Sequence, residues 1–243
     1  MPKTPPACSP RTYTLHRWAA ALNSSQAFAH NIFSGAKRRE FEFGMRALVR
    51  DKLHWARMDV ALESADGALD LYEVKMFEFL TSAGKNQIFH TEEQAKYLRA
   101  ECYECSTPAV ADAFIGLIQN IRDEFKDERV YGGGVKQICC HLLGITNEML
   151  AENGRLRLGG YKRVRFHCLC FDHDFGCVAF VRALENYKRV LGRLKPLADG
   201  YLEEVGVGGE VEFCGFVGAK EFVEDGEGIL GVENCGYVGR RYF

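Results

Sequence analysis

The chain has 243 residues, 47% hydrophobic and 26% charged, with a formal net charge of −2. That balance excludes disorder, collagen and coiled coil as whole-chain classes, and the length suits one large domain. No apolar run reaches the roughly 18 residues of a membrane span, and Met1–Pro6 lacks the apolar core of a signal peptide. The ten cysteines are therefore expected as thiols in a reducing cytoplasm.

Four of the six prolines fall in the first ten residues, so residues 1–12 read as an extended arm and 13–243 as a single domain. Trp18, Leu22, Phe28, Ala29, Ile32 and Phe33 recur at near-helical spacing over about 16–34, with Ser24 or Ser25 able to cap a break inside that stretch. Two strand-like runs follow, at about 57–63 and 70–79. Thr91 and Gln94 make a capping-box pattern for a helix over 91–100. Another helix begins after Thr107-Pro108, with Val110, Ala113, Phe114, Leu117, Ile118 and Ile121 on one face. A shorter one follows Gly132-Gly133-Gly134. Residues 161–171 read as a strand, and a helix over about 178–195 is expected to stop before Pro196. The last 44 residues hold eleven of the 25 glycines and read as short strands and turns. The order suggests a mixed sheet flanked by helices, an α/β or α+β fold.

Charge is unevenly spread. Between Glu203 and Glu233, inside the glycine-rich C-terminal segment (about 200–243), there are nine acids and one base, Lys220, a net −8 over residues 203–233 that leaves +6 on all other residues. A moderately basic body is compatible with phosphate binding and equally with solvated surface. Arg155, Arg157, Lys162, Arg163 and Arg165 form an acid-free basic stretch, and Lys37-Arg38-Arg39 a second. Either could follow a phosphate backbone.

The stretch richest in chemistry runs from Arg57 to Lys75. Met58, Val60 and Leu62 alternate with Arg57, Asp59 and Glu63, and Tyr72, Val74 and Met76 alternate with Glu73 and Lys75. Asp66-Gly67 between them signals a turn. A three-residue loop, Ala65-Asp66-Gly67, pairs Ser64 with Ala68 and puts Asp59 opposite Glu73 on one face, their Cβ atoms about 5 Å apart. A two-residue loop would put Asp59 opposite Val74 and separate the acids. Facing carboxylates repel, and Mg²⁺ is the cation that compensates them while keeping waters and phosphate oxygens in its shell. Without a metal, the same residues describe two surface strands with solvated acids and a Lys-Glu pair.

Asp59, thirteen residues, then Glu73-Val74-Lys75 resembles the motif of the PD-(D/E)XK nuclease superfamily, which includes many restriction endonucleases. Leu22–Phe33 (LNSSQAFAHNIF) and Tyr131–Leu143 (YGGGVKQICCHLL) resemble a largely uncharacterised restriction-endonuclease-like group within it. The resemblance implies a restriction-endonuclease-like mixed sheet flanked by helices, and a DNA hydrolase dependent on Mg²⁺, with Mn²⁺ substituting. It implies that Asp59 and Glu73 bind the metal, that the Val74 carbonyl adds a ligand, and that Lys75 orients water and stabilises developing charge. The runner-up is a non-catalytic member of the fold that binds nucleic acid or protein.

The chain departs from the family in three places. Met58 stands where relatives often have Pro. The helical Gln-x-x-x-Tyr of many relatives has two counterparts, Gln94 with Tyr97, one residue short, and Gln137 with His141 at the right spacing. Gln137 is the better functional candidate, since positions i and i+4 share a helix face. An acid on the first helix often joins the site in relatives, and Glu40 and Glu42 both qualify. Arg163, Arg165, Lys37 and Arg38 are the candidate DNA contacts, and a homodimer would suit double-strand cutting. Cys102 and Cys105 have zinc spacing without a matching second pair, so buried thiols are the default. Asp172-His173-Asp174 reads as a polar turn.

Overall fold

Phe41, Phe43 and Met45 alternate with Glu40, Glu42 and Gly44, the period-two pattern of a strand with one buried side. In the computed structural model they form β1 (Arg39–Leu48), an element that the expected order omits. The structure describes residues 24–48, 54–80, 95–103, 106–128, 130, 132–151, 158 and 160–243. The N-terminal arm and Gln94 lie outside them.

β1 pairs antiparallel with β2 (His54–Glu63), and β2 antiparallel with β3 (Leu69–Lys75). From there the sheet turns parallel, β3 to β4 (Val164–Cys170) and β4 to β5 (Val211–Gly218), in the order β1-β2-β3-β4-β5. Among the described residues, the crossover from β3 to β4 contains the α-helices α2 (Pro108–Glu124) and α3 (Gly132–Met149). The fold is mixed α/β, as expected.

Helices cover both faces. On one side lie α2, α3 and α4 (Val178–Glu204), on the other α1 (Ser25–Phe33), α5 (Ala219–Asp225), α6 (Glu227–Leu230) and α7 (Val232–Tyr242). The alternation along β3 separates the two layers. Tyr72 faces α1 and α5, its ring 4.9 Å from Phe33 and 5.4 Å from Phe222. Leu71, Glu73 and Lys75 occupy the alternate positions, and Glu73 and Lys75 bond to α3.

Local chemistry accounts for most starts and stops. The Ser24 hydroxyl accepts the Ala27 N–H and caps α1; Thr107 does the same for α2 through Val110, with Pro108 opening the helix. α3 is longer than expected and takes in Gly132–Gly134 at its start. Residues 95–102 form 3-10 turns instead of a regular helix. α4 continues through Pro196, because Leu194, Ala198, Tyr201 and Leu202 stay buried on both sides of it. That packing offsets the roughly 3 kcal/mol cost of an internal proline. The glycine-rich C-terminus, expected as short strands and turns, holds one strand and three helices. Val223, Leu230, Cys235 and Val238 are buried there and close the second layer.

α3 seats closely on the sheet. A Cβ at Gly144 would fall 3.0 Å from the Met45 Cβ and 3.2 Å from that of Ala56, so glycine is what permits the approach. Asn147 donates to the carbonyls of Arg46 and Ala47 at 2.9 and 3.1 Å, and the Thr146 hydroxyl pairs with Tyr201 at 2.7 Å. These bonds fix the helix, and with it the face that carries Gln137 and His141.

Candidate active site

The β2–β3 turn is the three-residue loop. Gly67 has φ +78°, and the Ser64 N–H donates to the Ala68 carbonyl at 2.9 Å. Pairing of Val60 with Tyr72 and Leu62 with Asp70 follows, the register that puts Asp59 opposite Glu73. The main-chain pairing ends at Val60 and Tyr72. One step beyond, the Val74 N–H donates to Asp59 Oδ2 at 2.7 Å, so the carboxylate acts as strand partner. It is the Val74 amide, rather than its carbonyl, that the structure ties to the acid.

Glu73 and Lys75 sit at the C-terminal end of β3, where Cys168 and Cys170 of β4 flank them. Both are buried. Glu73 Oε1 accepts from Lys75 Nζ at 2.5 Å, and its Oε2 is 2.8 Å from His141 Nε2. Lys75 Nζ also donates to Gln137 Oε1 at 3.0 Å. The Gln137–His141 pair on α3 therefore meets the Glu73–Lys75 pair on β3, and His141 stands where many relatives of the resembled family have tyrosine.

Of the two candidate acids, Glu42 is the one that reaches the site. Both Glu40 and Glu42 lie on β1 instead of the first helix. Pairing of Phe41 with Val60 and Phe43 with Met58 brackets Glu42 opposite Asp59. Its backbone is left-handed, φ 53°, a conformation that costs about 1–2 kcal/mol outside glycine. Gln26 of α1 donates to Glu42 Oε1 at 2.9 Å, which connects the LNSSQAFAHNIF stretch to the acids. Recognising the period-two run Phe41–Met45 as a strand beside β2 is the signal that would have singled out Glu42.

The electrostatics are asymmetric. Burial pushes the Asp59 carboxyl well up, the charge of Glu73 adds to this, and Glu42 contributes, while Lys75 and the Val74 amide offset part of it. For Glu73 burial also opposes the charge, but Lys75 and His141 outweigh it and hold the carboxyl well below the ordinary range. The acids thus outnumber the ammonium: Lys75 acts on both Asp59 and Glu73, and Glu42 adds its charge at Asp59. That surplus suits a hard divalent cation, and Asp59 and Glu73 are the residues that could hold it, with Glu42 adjacent. Among the described residues, no three of His, Cys, Asp and Glu form a ready-made metal cage. Mg²⁺, which takes one or two carboxylates and fills its shell with water and phosphate oxygens, does not need one.

The candidate DNA contacts lie elsewhere. Arg165 is held by Asp70, with Nε to Oδ1 at 2.7 Å and Nη2 to Oδ2 at 2.8 Å, and it also reaches Asp66. Its guanidinium neutralises a buried acid and is not a freely exposed phosphate contact. Arg163 lies beside a cleft with Asp199, Glu203, Glu210 and Glu212, an acidic surrounding. Both sit at the N-terminal end of β4, whereas Lys75 pairs with Cys170 at the C-terminal end, roughly 16–23 Å away at strand spacing. Lys37 is exposed, and Arg38 pairs with Glu63 at 2.6 Å at the hairpin end of the sheet. Arg155 and Arg157 lie outside the described residues.

Asp172 accepts the Lys220 N–H at 2.9 Å and Asp174 the Gly176 N–H at 2.8 Å, so that segment is a polar turn. Cys105 lies outside the described residues; Cys102 is a buried free thiol, and all eight described cysteines are free. No helix among the described residues is long and apolar enough to cross a membrane. No protein-family model, curated protein or solved structure matches the chain.

Proposed function

We propose that this chain is a metal-dependent phosphodiester hydrolase acting on DNA, a restriction-endonuclease-like nuclease that cuts within strands. One observation carries the reading: Asp59 on β2 and Glu73 and Lys75 on β3 converge, as the motif requires, and Gln137 of α3 joins them through Lys75. When bound, Mg²⁺ or Mn²⁺ would supply Lewis-acid activation of water and phosphate. Asp59 and Glu73 would hold that ion, and Glu42 would reinforce the negative field that attracts it. Lys75, positioned by Gln137, presents its ammonium to a phosphate oxygen, where negative charge grows in the transition state. His141 orients Glu73 by bonding its second oxygen. Cutting both strands at one place would call for two copies of the chain.

A specific observation favours a second reading, a catalytically silent member of the same fold that binds nucleic acid or protein. Both oxygens of Glu73 already have partners, Lys75 and His141, so the cluster can be internally neutralised. Incubating plasmid DNA with the protein and Mg²⁺ or Mn²⁺ separates the two. Cleavage lost in Glu73→Gln supports the nuclease; plasmid left intact by wild type with either metal refutes it.

A further inference from the structure

We infer that Lys96 and Lys136 are phosphate contacts, which together hold the DNA backbone beside the phosphate that the candidate site attacks. The inference rests on the nuclease reading and deepens it, by supplying the backbone contacts that Arg163 and Arg165, at the far end of the sheet, do not bring to the site.

The two lysines are tied to the site through α3. Lys75 is buried, and its ammonium donates to Gln137, which is exposed. Gln137 is thus where the hydrogen-bonded cluster meets solvent. Lys136 is its neighbour in the chain. Adjacent helical residues lie about 100° apart around the axis, so α3 carries two stripes side by side. Gln137 and His141 face β3 and complete the cluster. Lys136 and Cys140 face the 3-10 turn Ala95–Leu98, where Tyr97 meets them both. The second stripe therefore begins with a lysine at the rim of the site.

Tyr97 gathers two ammoniums at that rim. The residue is buried, and its hydroxyl accepts from Cys140 Sγ at 3.2 Å. Lys96 Nζ lies 5.4 Å and Lys136 Nζ 5.7 Å from the ring centroid, so the two stand within about 11 Å of each other. Both also act on the buried Cys140 thiol, where they offset part of the upward push of burial. Both are half-buried, and neither pairs with a carboxylate among the described residues. One turn before Lys136, α3 begins at Gly132, and the positive end of its dipole adds to the field. Like charges held together without an acid repel, and an anion is what relieves them. A DNA strand offers one phosphate per about 3.4 Å of rise, so neighbouring phosphates fit a lysine pair of this spacing. Lys75 then faces the attacked phosphate, and Lys96 and Lys136 hold the backbone beside it.

Methionine in place of lysine tests the pair, because it keeps an unbranched stem against Tyr97 and removes the charge. Binding of a short fluorescein-labelled DNA duplex is followed by anisotropy in EDTA, between about 50 and 200 mM salt. Lys96→Met and Lys136→Met should each reduce the salt slope by about 0.9, one phosphate contact, and the double variant by about 1.8. Arginine at both positions should restore the slope, which a role in packing alone would not. The same methionine change at Lys162, exposed just before β4 at the far end of the sheet, should leave the slope as it is. With Mg²⁺, the double methionine variant should cut plasmid with a raised KM and a nearly unaltered kcat, since the lysines hold a phosphate that does not react. An unchanged slope in the double variant, or an equal drop in Lys162→Met, overturns the phosphate contacts. Plasmid cutting with unaltered KM in the double variant would discard the contacts and leave the nuclease. A slope reduced in the double variant of a protein that never cuts would discard the nuclease and leave the contacts.

Discussion

Replacing Asp59 by asparagine separates the charge of the acid from its hydrogen bond. Asparagine keeps an oxygen where the carboxylate accepts the Val74 N–H at 2.7 Å, so the strand junction should survive. What disappears is a charge that burial, Glu73 and Glu42 all oppose. A like-charged cross-strand pair costs up to about 1 kcal/mol, and relieving it in a chain of this size should raise Tm by about 2–4 °C in metal-free buffer. Metal binding should move the other way. With one of two carboxylate ligands gone, Mg²⁺ or Mn²⁺ affinity should fall at least about tenfold by titration calorimetry, and cleavage with it. Thermal melts with and without 10-fold excess chelator complete the set: added metal should stabilise wild type and leave Asp59→Asn nearly unmoved. Identical calorimetric titrations for the two proteins, or a lower metal-free Tm for Asp59→Asn, would mean that the acids form a structural ion-pair network and not a metal site.

Lys75→Ala should still bind metal but lose about 10²–10³ in kcat, and it should be destabilised in EDTA, where Glu73 loses its closest cation; wild-type turnover would rule out its assigned role. Asp70 tests the far end of the sheet. Its burial opposes the charge, but His167, Arg165 and Ser64 outweigh this and hold its carboxyl near 2, against 3.8 for the ordinary group. Because the folded value is depressed, the stabilisation is present above about pH 4 and is lost as pH falls towards 2. It should amount to about 1–2 kcal/mol after allowance for the partly exposed Arg165. Urea melts of wild type and Asp70→Asn should therefore differ at pH 6 and converge through that window; a constant gap would refute the assignment. Arg165→Ala should cost about 1–3 kcal/mol of stability while leaving the salt slope of DNA binding unchanged, and a reduced slope would return Arg165 to the nucleic-acid interface.

Local chemistry in the sequence determined several elements outright. Gly67 tolerates the left-handed φ of a three-residue turn, and that turn sets the β2–β3 register and hence Asp59 opposite Glu73. Thr107-Pro108 starts α2, because cap and ring act within one helical turn. The i, i+4 spacing of Gln137 and His141 needed only a helix to put both on one face. Tertiary structure decided what depended on distant partners. The period-two run of β1 is legible in the sequence, but its place beside β2, and with it the choice of Glu42 over Glu40, came only from the pairing of Phe41 with Val60. The basic stretch around Arg165 reads equally as phosphate contact or solvated strand face, and only the tertiary structure shows that its guanidinium binds Asp70, 95 residues away. Pro196 should have ended α4, and the C-terminal glycines should have broken their segment into turns. Both were overridden by burial of side chains against layers that no local window contains, since propensities of a few kcal/mol yield to the packing of a whole helix face.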